Sequence, residues 1–178
     1  MFPTEAAGPA LTGPAVGPWR MGIEENKDVV RGLVTECINP YRPDLLERFV
    51  GDDVRAHPGT PGTAPDTDGI GQLQDAVHRI RGTFPDLHIE FEQVIGEGDL
   101  VAARWTATGT HSGPLAGVPA TGRAVRWSGT DVYRLVEGRI VEWWRNDDAV
   151  WLLHQVGRDL ADDATGARRR TLAGEPRP

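Results

Sequence analysis

Residues 138–148, Gly-Arg-Ile-Val-Glu-Trp-Trp-Arg-Asn-Asp-Asp, set two adjacent tryptophans directly before Arg145, Asp147 and Asp148. Aromatic walls beside charged groups at the end of a strand suggest a pocket floor. There a carboxylate could move a proton and an arginine could meet developing negative charge. A further carboxylate, Asp131, sits in the middle of the preceding segment among Trp127, Gly129, Tyr133 and Leu135. In such company it is either a structural group bonded to backbone or to Arg104, or a group suited to acid/base work. His57 and His111 each end a strand-like segment. A histidine so placed can shuttle a proton or hold the loop that follows.

Other chemistries have no footing. There is no glycine-rich phosphate loop, no His-Glu-x-x-His helix and no Gly-x-Ser-x-Gly elbow. The five histidines, His57, His78, His88, His111 and His154, show no metal-ligand spacing, so neither a metal nor a cofactor is expected. A net charge of −7 excludes a basic footprint for nucleic acid or an anionic membrane, and the Arg168–Arg170 run reads as tail charge. No apolar run approaches membrane-spanning length. The lone Cys37 lies on an apolar helical stripe and reads as a small core residue; the lack of a disulfide framework fits a cytoplasmic protein.

The elements that must position these groups follow from periodicity. Helical spacing covers 23–38, with Val29, Val30, Leu33, Val34, Cys37 and Ile38 on one stripe, and Asn39-Pro40 stops it. A short helix over 43–50 and a strand over 53–57 lead into a Pro/Gly-rich loop, 58–68, and a third helix over 69–83. From Leu87 the period becomes two, giving strands over 87–95, 101–111, 124–136 and 139–146. Asp148 then caps a closing helix with Ala149, Leu152, Leu153 and Val156 inward. Residues 1–22 and 158–178 lack periodicity and read as a disordered extension and a flexible tail around a domain at 23–157. Helices followed by meandering strands predict an α+β layer fold, with about three helices on one face of a curved antiparallel sheet.

The segments Asn26-Lys-Asp-Val-Val-Arg31, Gly82-Thr-Phe-Pro-Asp86, 101–111, Gly117-Val-Pro-Ala-Thr-Gly122, Asp131-Val-Tyr-Arg134 and Gly138-Arg-Ile-Val-Glu142 occur in a telling order. Together they resemble the SnoaL-like polyketide cyclase or ester cyclase family of the nuclear transport factor 2-like superfamily. The resemblance implies a cone-shaped α+β domain enclosing an apolar cavity, a cofactor-free cyclase of secondary metabolism acting on a hydrophobic small molecule, and a homodimer. It equally admits a ligand-binding accessory domain or an epoxide-opening enzyme, because one fold hosts many activities.

Carried over residue by residue, the resemblance places His57 at a cavity mouth and makes Trp127, Tyr133, Trp143, Phe84 and His111 substrate-wall candidates. Arg104 falls where related epoxide hydrolases have a catalytic arginine, but their aspartate two residues on is Thr106 here. The family's catalytic aspartate, seven residues after the glycine matching Gly138, is Arg145, and Trp143 replaces a neighbouring histidine. Asp148 matches a common family aspartate. The expected catalytic set is therefore Asp131 with His57, supported by Arg104, Arg145 and Asp148.

Overall fold

The computed structural model describes residues 22–57 and 67–158. The expectations for the extension 1–22 and the tail 158–178 lie, but for Gly22 and Arg158, outside the described residues. So does most of the predicted 58–68 loop.

The chain begins with α1 (Ile23–Gly32), whose first-turn Glu25 accepts a hydrogen bond from the Gly22 amide at 2.7 Å. A wide π turn, Leu33–Ile38, continues it, closed by Asn39 N–H donating to the Val34 carbonyl at 2.9 Å. The extra residue per turn rotates the stripe so that Leu33, Val34, Cys37 and Ile38 are all buried. The Asn39 side chain then works as a strand surrogate: its Nδ2 donates to Ile89 O at 2.9 Å and its Oδ1 accepts from Ile89 N–H at 2.8 Å. A 3₁₀ turn, Pro43–Arg48, leads into β1 (Val50–His57). The two-residue β2 (Thr67–Asp68) and α2 (Ile70–Thr83) follow.

The rest is the meander: β3 (His88–Glu97), β4 (Leu100–Thr110), β5 (Ala124–Val136) and β6 (Arg139–Asp147), closed by α3 (Ala149–Val156). Asp148 Oδ1 caps α3 by accepting from Trp151 N–H at 3.0 Å. The β5–β6 turn puts both Glu137 (φ 50°) and Gly138 (φ 75°) in the left-handed region that a tight hairpin requires.

The six strands form one sheet in the order β2-β1-β6-β5-β4-β3. Four of its five pairings are antiparallel, but β1 lies parallel to β6, with Ala56 opposite Trp143 and His57 opposite Trp144. The sheet is thus mixed, which corrects the wholly antiparallel expectation: a strand arriving from the N-terminal helices docks on the last strand made. It also stays open, with β2 and β3 as its edges.

Alternation sends Val101, Ala103, Trp105 and Ala107 of β4, and Trp127, Asp131, Tyr133 and Leu135 of β5, to the buried face. There they join Val30, Leu33, Leu46, Leu73 and Val77 from the helical layer in a single core. Cys37 is fully buried within it, and burial raises its thiol pKa to about 11. Among the described residues no helix is long and apolar enough to cross a membrane, and no group of His, Cys, Asp or Glu could hold a metal ion.

Candidate active site

The two central strands, β5 and β6, carry the polar exception in this core. Their register sets Tyr133 opposite Trp143, Asp131 opposite Arg145 and Gly129 opposite Asp147. Residues two apart share a face, so Trp143, Arg145 and Asp147 line up beside Tyr133, Asp131 and the bare Gly129. From β4, Ala103 lies opposite Asp131 and Trp105 opposite Gly129.

Asp131 is nearly sealed, with its side chain 3% exposed. Its Oδ2 accepts the Tyr133 hydroxyl at 3.1 Å and lies 3.6 Å from Arg145 Nε. The Arg145 guanidinium sits 4.8 Å from the Trp143 ring centroid and 5.9 Å from that of Trp105, an aromatic cradle that favours a cation. Arg145 keeps 36% of its side-chain surface, yet its Nε is buried; the exposed share belongs to other atoms of the side chain. Burial alone would lower its pKa, but Asp131, Tyr133 and Asp147 outweigh that and raise it above the usual arginine value. Burial, then the Asp131 charge, pushes the Tyr133 phenol well up.

Four buried polar atoms of this cluster have no hydrogen-bond partner among the described residues: Asp131 Oδ1, Arg145 Nε, Trp105 Nε1 and Trp143 Nε1. Buried polar groups are nearly always satisfied, so three donors and one acceptor left open set this cluster apart from the apolar core around it. Chemically, the cluster offers a carboxylate to take or return a proton and N–H groups to meet an oxyanion.

The sequence-based candidates divide. Asp131, Arg145, Tyr133 and Trp143 come together on the buried face. Trp127 lies further along it, 5.1 Å ring to ring from Phe84, which in turn lies 5.9 Å from His111. His111 is fully buried and holds the 112–123 loop: its Nδ1 meets Thr121 Oγ1 at 2.9 Å, and its carbonyl accepts from the Thr121 and Gly122 amides. Asp148 is accounted for as the α3 cap.

Two candidates lie on the other face of the sheet, and this corrects their expected place in the pocket. Arg104 follows the polar alternation of β4 outward, where it pairs with Glu92 at 2.9 Å with its side chain 55% exposed. Thr106 joins it there, donating to Glu92 Oε1 at 2.6 Å. The apolar set Ala103, Trp105 and Ala107, not the polar one, is the inner face. His57 is aligned with Trp144, one residue out of phase with Trp143, so it too points outward. It stacks on Trp144 at 5.7 Å, and its Nε2 lies 3.1 Å from Glu142 Oε1.

Two residues of the cluster, Trp105 and Asp147, stand outside the expected catalytic and substrate-wall sets. Trp105 was legible from the apolar alternation of β4. Asp147 was legible from the two-residue step that runs Trp143, Arg145, Asp147, but the neighbouring cap signal of Asp148 obscured it. Burial raises the Asp147 carboxyl pKa; Arg145 works against the shift and Asp131 reinforces it. A separate open groove of about 400 Å³, lined by Asp86, Thr110, Arg126 and Gln155 among others, contains none of the cluster residues.

Comparison with known proteins places this arrangement. Residues 28–156 match the model of the SnoaL-like polyketide cyclase family. The chain is 32% identical over 133 residues to the aklanonic acid methyl ester cyclase DnrD of Streptomyces peucetius, covering 73% of this chain and 89% of that protein. IdmH of Streptomyces antibioticus superposes with a TM-score of 0.65 at 32% identity, covering 75% of this chain and 99% of IdmH. A SnoaL-like protein of Jannaschia sp. CCS1 superposes with a TM-score of 0.71 at 22% identity, covering 83% and 99% of the two chains, a likeness of fold. With the family model spanning residues 28–156, from within α1 to the end of α3, and a relative matched over most of its length, the chain belongs to the SnoaL-like polyketide cyclase family.

Proposed function

We propose that this protein is a cofactor-independent cyclase that closes a ring in an apolar, carbonyl-bearing polyketide by acid/base catalysis on the buried sheet face. The observation that carries the reading is the buried Asp131–Arg145 pair, whose Oδ1 and Nε are left without hydrogen-bond partners beside two unpartnered indole N–H groups. In the reaction, Asp131 takes a proton from a carbon next to a carbonyl. Arg145 and the indole N–H groups meet the charge that gathers on oxygen, and Trp105, Tyr133 and Trp143 hold the folded substrate near its attack geometry. The reading extends to a homodimer formed through the outer sheet face, acting in the cytoplasm.

Aklanonic acid methyl ester, the compound named for the relative, is the first probe. Incubation with purified protein should give an isomeric, ring-closed product. Asp131→Asn should lower turnover per folded molecule by about 10²–10⁴-fold, the usual worth of a positioned base. Normalising to folded protein matters because the substitution also leaves Arg145 without its counter-charge. Turnover preserved in Asp131→Asn would remove that residue from the chemistry.

A ligand-holding, non-catalytic role is the second reading. It is favoured by Arg145 standing where the family's resemblance leads one to expect an acid, since an arginine in an aromatic cradle suits a carboxylate ligand. Tight binding of the ester with no product would select it. Epoxide opening has less support, since Arg104 and Thr106 are committed to Glu92 on the outer face.

A further inference from the structure

Ring closure through a carbanion needs two proton transfers, one from carbon and one to the oxygen that becomes an alkoxide. Asp131 can serve the first. We propose that Asp147 serves the second, as a catalytic acid distinct from Asp131; the assignment rests on the cyclase reading above.

The geometry for this is built into the register. Asp147 is two residues beyond Arg145 on the same face of β6, about 7 Å along the strand. Its cross-strand partner is Gly129, so no β5 side chain fills the space opposite. What lies there instead is Trp105: a Cβ on Gly129 would come within 2.4 Å of Trp105 Cζ2 and 2.9 Å of Cε2. Cε2 is bonded to Nε1, so the Cζ2–Cε2 edge of the indole, next to its nitrogen, overlies Gly129, whose register partner is Asp147. That indole nitrogen is buried and has no partner. Trp105 and Asp147 therefore stand on either side of Gly129 in one row of the face, and the next row holds the Asp131–Arg145 pair.

The charged and titratable groups that bear on Asp147 are Arg145, Asp131 and Asp148. Burial and the two carboxylates favour its protonated form, and Arg145 opposes them. Two carboxyls on one face, one hydrogen-bonded to a phenol and ion-paired with an arginine and the other half-buried with its pKa raised by burial, differ in environment in the way an acid/base division of labour requires.

The step balances. Asp131 takes the proton from carbon, and the C–H electrons form the new C–C bond to a ketone carbon. The C=O π pair moves onto oxygen, which takes the Asp147 proton. The proton held by Asp131 then returns to Asp147, so substrate and product are isomers and no oxidant or reductant is consumed.

The test compares the wild type with Asp147→Asn and Asp147→Glu in D₂O, using a diketo ester able to close a ring by aldol addition. NMR reads hydrogen–deuterium exchange at the acidic carbon, and chromatography reads ring closure. Asp147→Asn should slow closure by about 100-fold and raise the ratio of exchange to closure by about 10-fold, with Asp147→Glu recovering about a tenth of wild-type closure. Closure within about 3-fold of wild type in Asp147→Asn, or exchange and closure falling together, would overturn the assignment. A wild type that neither exchanges nor closes would instead overturn the cyclase reading, and the assignment with it. Carbon NMR titration of the wild-type side-chain carboxyls gives a substrate-free readout. Asp147 should titrate above the ordinary aspartate range, and an ordinary titration would overturn the assignment.

Discussion

Asp131 and Arg145 face each other directly across the β5–β6 ladder, with Arg145 Nε 3.6 Å from Asp131 Oδ2. Because Asp131 is almost fully buried, this pair is a single energetic unit. Arg145→Met should destabilise the domain by about 3 kcal/mol, since breaking a buried pair leaves an uncompensated charge. Asp131→Asn combined with Arg145→Met removes both charges and should recover most of that loss while leaving no turnover. Urea denaturation of the two single variants and the double variant forms the cycle. A double variant as unstable as the sum of the singles would show that the two groups are not coupled.

Arg104 supplies the contrast. Its partner Glu92 and its own guanidinium are both in reach of water, where an ion pair contributes about 0–1 kcal/mol. Arg104→Ala should therefore shift the melting temperature by no more than a few degrees, by about the same amount with and without substrate, and leave turnover within about twofold. A large loss of turnover would mean that the outer face takes part in the reaction.

Asp147 should leave a signature in stability against pH. Its pKa in the fold is raised above the ordinary 3.8, so the folded state holds the proton more tightly than the unfolded chain does. The stability it contributes is fully present below the unfolded value and is lost as pH rises through the folded one. Asp147→Asn cannot ionise, so it should melt higher than wild type at pH 7, with the difference shrinking as pH falls toward 4. Melting curves across that window check the sign. A variant less stable than wild type at pH 7 would contradict it. A group that weakens the fold in this way is common where function sets the requirement.

Gly129 is fixed by its neighbours and not by its backbone angles. A methyl group there would lie 2.4 Å from Trp105 Cζ2 and 2.8 Å from the Asn146 carbonyl, one contact with a buried ring and one with backbone. Gly129→Ala should cost about 1–3 kcal/mol through overpacking and should displace the indole across from Asp147. Near-ultraviolet circular dichroism and turnover should therefore change together. A variant with wild-type spectrum and stability would show that the indole has room to move.

Local pattern made much of the fold readable. The bounds of β5, the Glu137-Gly138 hairpin, the Asp148 cap and the four inward residues of α3 all follow from period and punctuation within a few residues of chain. What escaped depends on partners distant in sequence. The two-residue β2 exists only because β1 pairs with it, Arg55 against Asp68 and Ala56 against Thr67. The face His57 presents is set by its alignment with Trp144, 87 positions on, and nothing near His57 encodes it. On β4 both faces had a claim, because Arg104 and Thr106 could have lined a polar pocket. The aromatic weight of Trp105 against the β5–β6 pair decided the matter. The site was half legible for the same reason: Asp131, Tyr133, Trp143 and Arg145 lie on one hairpin, while the indole that covers Gly129, the register partner of Asp147, comes from a third strand.

The parallel seam between β1 and β6 bears on when the site can form. Val50 must wait for Ile140 before it has a partner, and the antiparallel hairpins of the meander can close without it. On the ribosome, β1 emerges first and pairs among the last. The cluster on β5 and β6 is therefore expected to assemble before β1 docks beside it. In the folded protein the same order should run backward: amides of β1 and β2 should exchange with solvent first, and those around Asp131 and Arg145 last.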